Sequence, residues 1–242
     1  MKNNAIFNRT YLLGDIHGNW YVIQDHLNKI LVDNVAYIQV GDFGIGFYSN
    51  EEDLRRLKIL NEKLLEHNSF LYVIRGNHDR KDWFMIDKML DEKNQLSNIF
   101  FVPDYTVLNI DNENILFIPG AISIDRIYRD KNKMGWWADE VVDFDFEKAA
   151  DFIDIDRIIS HTAPDFCQPT SFSDLVYNYA LSDKHLLDDL SNERANMSKL
   201  VSIIMKNNKL KSLHYGHFHQ SYYFRHNDCD FIGLGVNEFY NL

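Results

Sequence analysis

Short apolar runs that each stop at a glycine set the pattern of the N-terminal part of the chain. Tyr11–Leu13 precedes Gly14-Asp15, Val35–Val40 precedes Gly41-Asp42, and Phe70–Ile74 leads through Arg75 to Gly76-Asn77-His78. Runs of this length, β-branched or aromatic and bounded by glycine, predict buried strands. Between them, Trp20 to Leu31 and Glu51 to Glu66 carry apolar residues at helical spacing and predict amphipathic helices. Strand, helix, strand, helix, strand implies βαβ units and a sheet that is at least partly parallel.

The second half predicts further strands at Thr106–Ile110, Ile115–Ile118, Arg157–Ser160, Ser212–Tyr215, Tyr222–Phe224 and Phe231–Leu234. Asp111-Asn112-Glu113-Asn114 fits a hairpin turn between the first two. Phe172 to Met205 predicts mostly helix, with Ser182 and Ser191 as N-caps. The acidic stretch from Asp139 to Asp156 predicts a solvated, helix-rich face. Two sheets with helices on both outer sides would use all these elements. No repeat, low-complexity tract or Pro/Gly/Ser-rich linker divides the chain, so a single domain over residues 1–242 is expected.

Composition narrows the function classes. At 242 residues with 45% hydrophobic content, the chain can bury one sizeable core. A net charge of -11 argues against a broad basic face for duplex nucleic acid. It permits a phosphorylated substrate, because bound cations can reverse the local sign of a pocket. The two cysteines, Cys167 and Cys229, are too few for a disulfide framework and suit a reducing compartment. With no basic-then-apolar leader and no long apolar run, the expectation is a soluble, cytoplasmic protein without a membrane partner. The oligomeric state is left open.

The candidate chemistry lies at the predicted strand ends. They carry Gly14-Asp15-Ile16-His17-Gly18, Gly41-Asp42, Gly76-Asn77-His78-Asp79, Ser160-His161-Thr162-Ala163-Pro164 and Gly216-His217-Phe218-His219. In open α/β sheets, ligands bind beyond the carboxyl ends of the strands. A spacing of two in Asp15/His17 and His217/His219 lets both members of a pair reach one side of an extended segment. Two carboxylates, one amide and four imidazoles suit borderline divalent ions better than calcium. Manganese is expected first, with iron, zinc or nickel as alternatives. Asp42, on the middle strand, is placed to bridge two such ions about 3.5–4 Å apart.

Taken in order, GDIHG, GD, RGNHD, a mid-chain SH and GHFH resemble the calcineurin-like metallophosphoesterases, from Gly14 to His219. The resemblance implies a four-layer α/β/β/α sandwich with the metals at one end. It implies a first metal on Asp15, His17, Asp42 and His219, and a second on Asp42, Asn77, His161 and His217. It further implies His78 beside the leaving-group oxygen, oriented by Asp79; a ligand role for His78 is the alternative. The segment Gly120–Arg126 followed by Trp136-Trp137 looks like bacterial and phage members of the superfamily. Ser/Thr protein phosphatases carry a phosphate-gripping arginine after the second block, where this chain has Gly41–Phe47. Arg126, with Arg129 and Arg80 behind it, is the candidate substitute. Trp136 and Trp137 would either pack a hairpin or close over the site.

The expected reaction is hydrolysis of a phosphate ester by hydroxide generated from metal-bridging water, with His78 protonating the departing oxygen. The substrate would be a phosphorylated small molecule, a nucleotide or a protein. A phosphodiesterase or nuclease is the alternative within enzymes. A non-catalytic metal-binding scaffold is the alternative outside them.

Overall fold

The computed structural model describes residues 5–85 and 96–242. Its first sheet runs β11-β1-β2-β3-β4, built from Phe239–Asn241, Arg9–Leu13, Val35–Gln39, Phe70–Val73 and Ile99–Phe101. Strands β1 to β4 are parallel, and β11 closes the edge antiparallel to β1. The crossovers are α1 (Tyr21–Ile30) and α2 (Asn50–Glu66). Ser49 caps α2 by accepting from the Glu52 N–H.

The second sheet runs β5-β6-β7-β8-β10-β9. Its strands are Val107–Ile110, Glu113–Ile118, Arg157–Ser160, Ser212–Tyr215, Cys229–Gly233 and Tyr222–His226. The four inner strands are parallel, while β5 and β9 are antiparallel edges. Among the described residues four α-helices follow the first two: α3 (Arg126–Asn132), α4 (Phe146–Asp151), α5 (Asp174–Ala180) and α6 (Leu186–Asn207).

Alternation along β2 shows how the layers form. Ala36 and Ile38, with Val40, face the second sheet and join Ile115, Phe117 and Ile159 in a cluster between the sheets. Val35 and Tyr37 face the other way, onto Leu57, Leu60 and Leu64 of α2. A matching cluster packs Leu116, Ile158 and Leu213 on Met197, Leu200 and Ile204 of α6. A strand buried on both faces reads as continuous apolar sequence, and the result is the expected α/β/β/α sandwich.

The differences from expectation are local. Strands β4 and β11 each have three residues, too few to display an alternation. The β5–β6 hairpin turns on Asp111 and Asn112 alone, at φ of 51° and 64°, and Glu113 and Asn114 already belong to β6. Neither predicted serine caps a helix. Ser173 precedes α5 and His185 precedes α6, while Ser191 lies inside α6 and donates to the Leu187 carbonyl. The acidic stretch holds the single short helix α4, and its Glu140 is buried. Both cysteines are buried free thiols. Among the described residues no helix is long and apolar enough to cross a membrane.

Candidate active site

Every predicted ligand follows the carboxyl end of a parallel strand. Asp15 and His17 follow β1, Asp42 follows β2 and Asn77 follows β3; His161 follows β7, and His217 and His219 follow β8. The two sheets therefore face each other across the site. Two groups form, Asp15/His17/Asp42/His219 and Asp42/His161/His217, and within each the donor atoms lie within 4.8 Å of one another. Asp42 belongs to both. His17, Asp42, His217 and His219 have φ of 43°, 59°, 70° and 60°. Such left-handed backbone costs a non-glycine residue about 1–3 kcal/mol and collects where function holds it in place.

The distances show donors aimed at common points. His17 Nε2 and His219 Nε2 are 3.0 Å apart, and His219 Nε2 is 3.3 Å from Asp15 Oδ2. Asn77 Oδ1 lies 3.0 Å from His161 Nε2 and 2.9 Å from His217 Nδ1. His161 Nε2 also lies 3.2 Å from Asp42 Oδ1. On its other side, His161 Nδ1 sits 2.9 Å from the Val40 carbonyl. A carbonyl can only accept, so the Nδ1 proton is fixed there and Nε2 is left to face the site, the arrangement that orients a ligating histidine. This donor set, imidazole nitrogen with carboxylate and amide oxygen, fits borderline divalent ions.

Electrostatics support the same reading. Burial alone would raise the Asp42 carboxyl, but the imidazoles of His161, His78 and His17 hold it well below its usual range. Burial likewise opposes a charge on His161, and the Asp42 carboxylate overrides it, pushing His161 up to about 9. Without cations the site thus balances its own carboxylate with an imidazolium, a proton that an ion would displace. His217 is held well below the ordinary histidine value by burial and by the charge on His161.

A second layer positions these groups. Asn77 Nδ2 donates to Ser123 Oγ at 2.9 Å, which turns Oδ1 toward the imidazoles. Ser123 donates through Oγ and N–H to the two Glu140 oxygens, both at 2.7 Å, and Arg129 Nη1 donates to Ser123 Oγ at 3.1 Å. A Cβ on Gly76 would strike the Asp42 amide and Oδ1, and one on Gly216 would strike Asp15 Oδ1. These two glycines are where the backbone must come closest to the carboxylates.

Several expected roles change. Asp79 does not orient the His78 ring. Its oxygens accept from the backbone N–H groups of Phe43, Gly44, Ile45 and Gly76 at 2.7–3.1 Å, locking the post-β2 loop to the post-β3 loop. Burial and Asp42 push this carboxyl up to about 6 against the pull of those amides. His78 is placed through its backbone N–H, which donates to Asp42 Oδ1 at 2.8 Å, and its ring stands edge-on to His17. Burial lowers its pKa.

Arg126 is not a free phosphate grip. Nε donates to Asp183 at 2.6 Å and Nη2 donates to Asp189 at 2.6 Å, because the α5–α6 corner supplies two carboxylates that outcompete solvent. Arg80 donates to Asn50 and Asp82. Arg129 is buried against Ser123 and the Gly135 carbonyl, with its guanidinium over Trp137. Trp136 and Trp137 do not line the cavity at the ligands. His214 is buried against Tyr240 and takes no part.

The sequence reading missed Glu193 and the wall around it. Glu193 sits on α6 in the register of Leu186, Leu190, Met197, Leu200 and Ile204, all buried, and accepts from Thr162 Oγ1 at 3.0 Å. A carboxylate at a core position of an apolar stripe was the available signal. It lines a cavity of about 520 Å³ that also contains Asp42, Asn77, His78, His217 and His219.

A protein of Thermus thermophilus shares 11% identity over 95% of this chain and 90% of its own, with a TM-score of 0.50, a likeness of fold. The phosphopantetheinyl hydrolase of Mycobacterium tuberculosis shares 12% identity over 97% of this chain and 92% of its own, with a TM-score of 0.49. No curated protein matches the chain. The family model for calcineurin-like phosphoesterases matches residues 9–221, which hold every candidate ligand. With the α/β/β/α sandwich and its candidate divalent-metal clusters, that match makes the chain a member of the calcineurin-like phosphoesterase family, a metal-dependent phosphoester hydrolase.

Proposed function

We propose that the chain, as a single domain over residues 1–242, hydrolyses phosphate esters at a dinuclear centre. Asp15, His17, Asp42 and His219 would hold one divalent ion and Asp42, Asn77, His161 and His217 the other. The observation that carries this is the Asp42 carboxylate, common to two donor groups that each span no more than 4.8 Å. Manganese suits the mixed oxygen and nitrogen donors, with iron, zinc and nickel as substitutes. Bound there, such ions supply Lewis acidity toward the phosphoryl oxygens and toward water.

The chain's own residues do the rest. Asp15 and Asp42 set the charge of the site, so that two divalent cations leave roughly two positive charges for a phosphate dianion to balance. Asn77, held by Ser123, and His161, held by the Val40 carbonyl, keep their donor atoms aimed without reorganisation. His78 would give the departing oxygen its proton; burial lowers its pKa, and a phosphoryl dianion beside it restores the charged form. Asp79 acts at a distance, by fixing the loops that present Asp42 and His78.

Elemental analysis of the purified protein tests the centre. Up to two divalent ions per chain are expected, and Asp42→Asn should lower both, together with turnover of phosphate esters. One ion unaffected by Asp42→Asn, or full turnover after exhaustive dialysis into excess chelator, would overturn the reading.

A further inference from the structure

We propose that the ester cleaved here carries a neutral, apolar group on its leaving side and no second phosphate, an inference that rests on hydrolysis at the Asp42 centre. The cavity lined by Asp42, His78 and His219 is also lined by Leu175, Val176 and Tyr179 of α5. Its volume, about 520 Å³, is ample for a small-molecule ligand. Its apolar lining comes from Phe172, Val176, Tyr179, Leu190 of α6, Phe218 and Tyr222, beside the polar Ser171, Ser173 and Gln220. Helix α5 buries none of its residues. Phe172, Val176 and Tyr179 rest only partly covered against Leu186 and Leu190. An apolar wall left half open, continuous with the candidate ligands, is the shape that a hydrophobic leaving group would fill.

Charge points the same way. Arg194 is the one Lys or Arg among the described residues lining this cavity. It donates to the carbonyls of Ala163, Pro164, Cys167 and Pro169, with its guanidinium 5.1 Å from the Phe218 ring centroid. Arg126 and Arg129 are committed as described above. The carboxyl-bearing residues that line it away from the candidate ligands are Asp125 and Glu193, neither of which would attract an anion. A second phosphate there would lose part of its hydration with no free cation to replace it.

The test uses the manganese-loaded protein and three substrates of similar leaving-oxygen basicity: ethyl phosphate, hexyl phosphate and hexane-1,6-diol bisphosphate. Each buried methylene should raise kcat/KM about fourfold, so hexyl should exceed ethyl phosphate on the order of a hundredfold. The bisphosphate should fall below hexyl phosphate. Val176→Asn should shrink the hexyl-to-ethyl ratio, a quantity that partial unfolding of the preparation leaves untouched. Equal kcat/KM for ethyl and hexyl phosphate, or the bisphosphate as the best substrate, would overturn the inference while leaving hydrolysis standing. No turnover of any of the three would overturn the hydrolytic reading and this one with it.

Discussion

Glu193→Gln should make the protein more stable, and by an amount that grows with pH. Burial dominates at Glu193; the charge on His161 favours its ionised form and that on Glu140 its neutral form, and the carboxyl ends near 8 instead of the usual 4.5. Between those values the unfolded chain releases this proton and the folded chain keeps it. Folding therefore loses about 1.4 kcal/mol for every pH unit from 4.5 upward, until the folded group also ionises near 8. At pH 7 the accumulated loss is about 3 kcal/mol. Glutamine has the same shape, can accept from Thr162 and has no proton to lose. Thermal unfolding of parent and variant, chelator-treated so that metal affinity does not enter, reads the difference. The gap in Tm should widen by roughly 5–10 °C between pH 5 and pH 7, given about 2–4 °C per kcal/mol for a chain of this size. A gap that stays constant over that range would show that Glu193 is already ionised in the folded state.

Three further outcomes follow from the site. Arg126→Ala should cost about 1–3 kcal/mol of stability by stranding the carboxylates of Asp183 and Asp189, with KM for a phosphate ester unchanged; a large rise in KM at unchanged Tm would return Arg126 to the substrate. Gly76→Ala should abolish retention of divalent ions, since its Cβ displaces Asp42, and normal metal content in a folded variant would contradict the geometry. His78→Gln should lose ~10²–10⁴-fold on alkyl phosphates and much less on nitrophenyl phosphates, which need no proton to leave. An equal loss on both, with metal retained, would assign His78 to the phosphoryl group instead.

The sequence made the parallel strands and their polar ends legible because two simple periodicities meet there: apolar runs cut by glycine, then ligand-type residues at strand exits. What it hid was pairing. Arg126 looked available because Asp183 and Asp189 lie more than fifty residues away and reach it only through the α5–α6 corner. Asp79 looked like a partner for its neighbour His78, but a carboxylate beside four unpaired backbone amides binds those first. Ser123 lies in the Gly120–Arg126 segment and Glu140 in the acidic stretch, but the role of the pair emerges only when Asn77 is seen to need a partner for its amide nitrogen. The left-handed backbone at His17, Asp42, His217 and His219 is only a faint signal, since Asp and His are enriched at positive φ yet seldom adopt it.

The division of the candidate ligands between the sheets has a mechanical consequence. Asp15, His17, Asp42 and Asn77 hang from one sheet, and His161, His217 and His219 from the other. An ion shared across that line would act as a rivet through the sandwich: the sheets could not slide or part without first releasing it. Resistance to unfolding would then track free metal concentration, rising about 2.7 kcal/mol at a hundred times Kd for each ion bound only by the folded chain. In a cell short of the metal, the same chain would lose both its chemistry and its grip on its own fold.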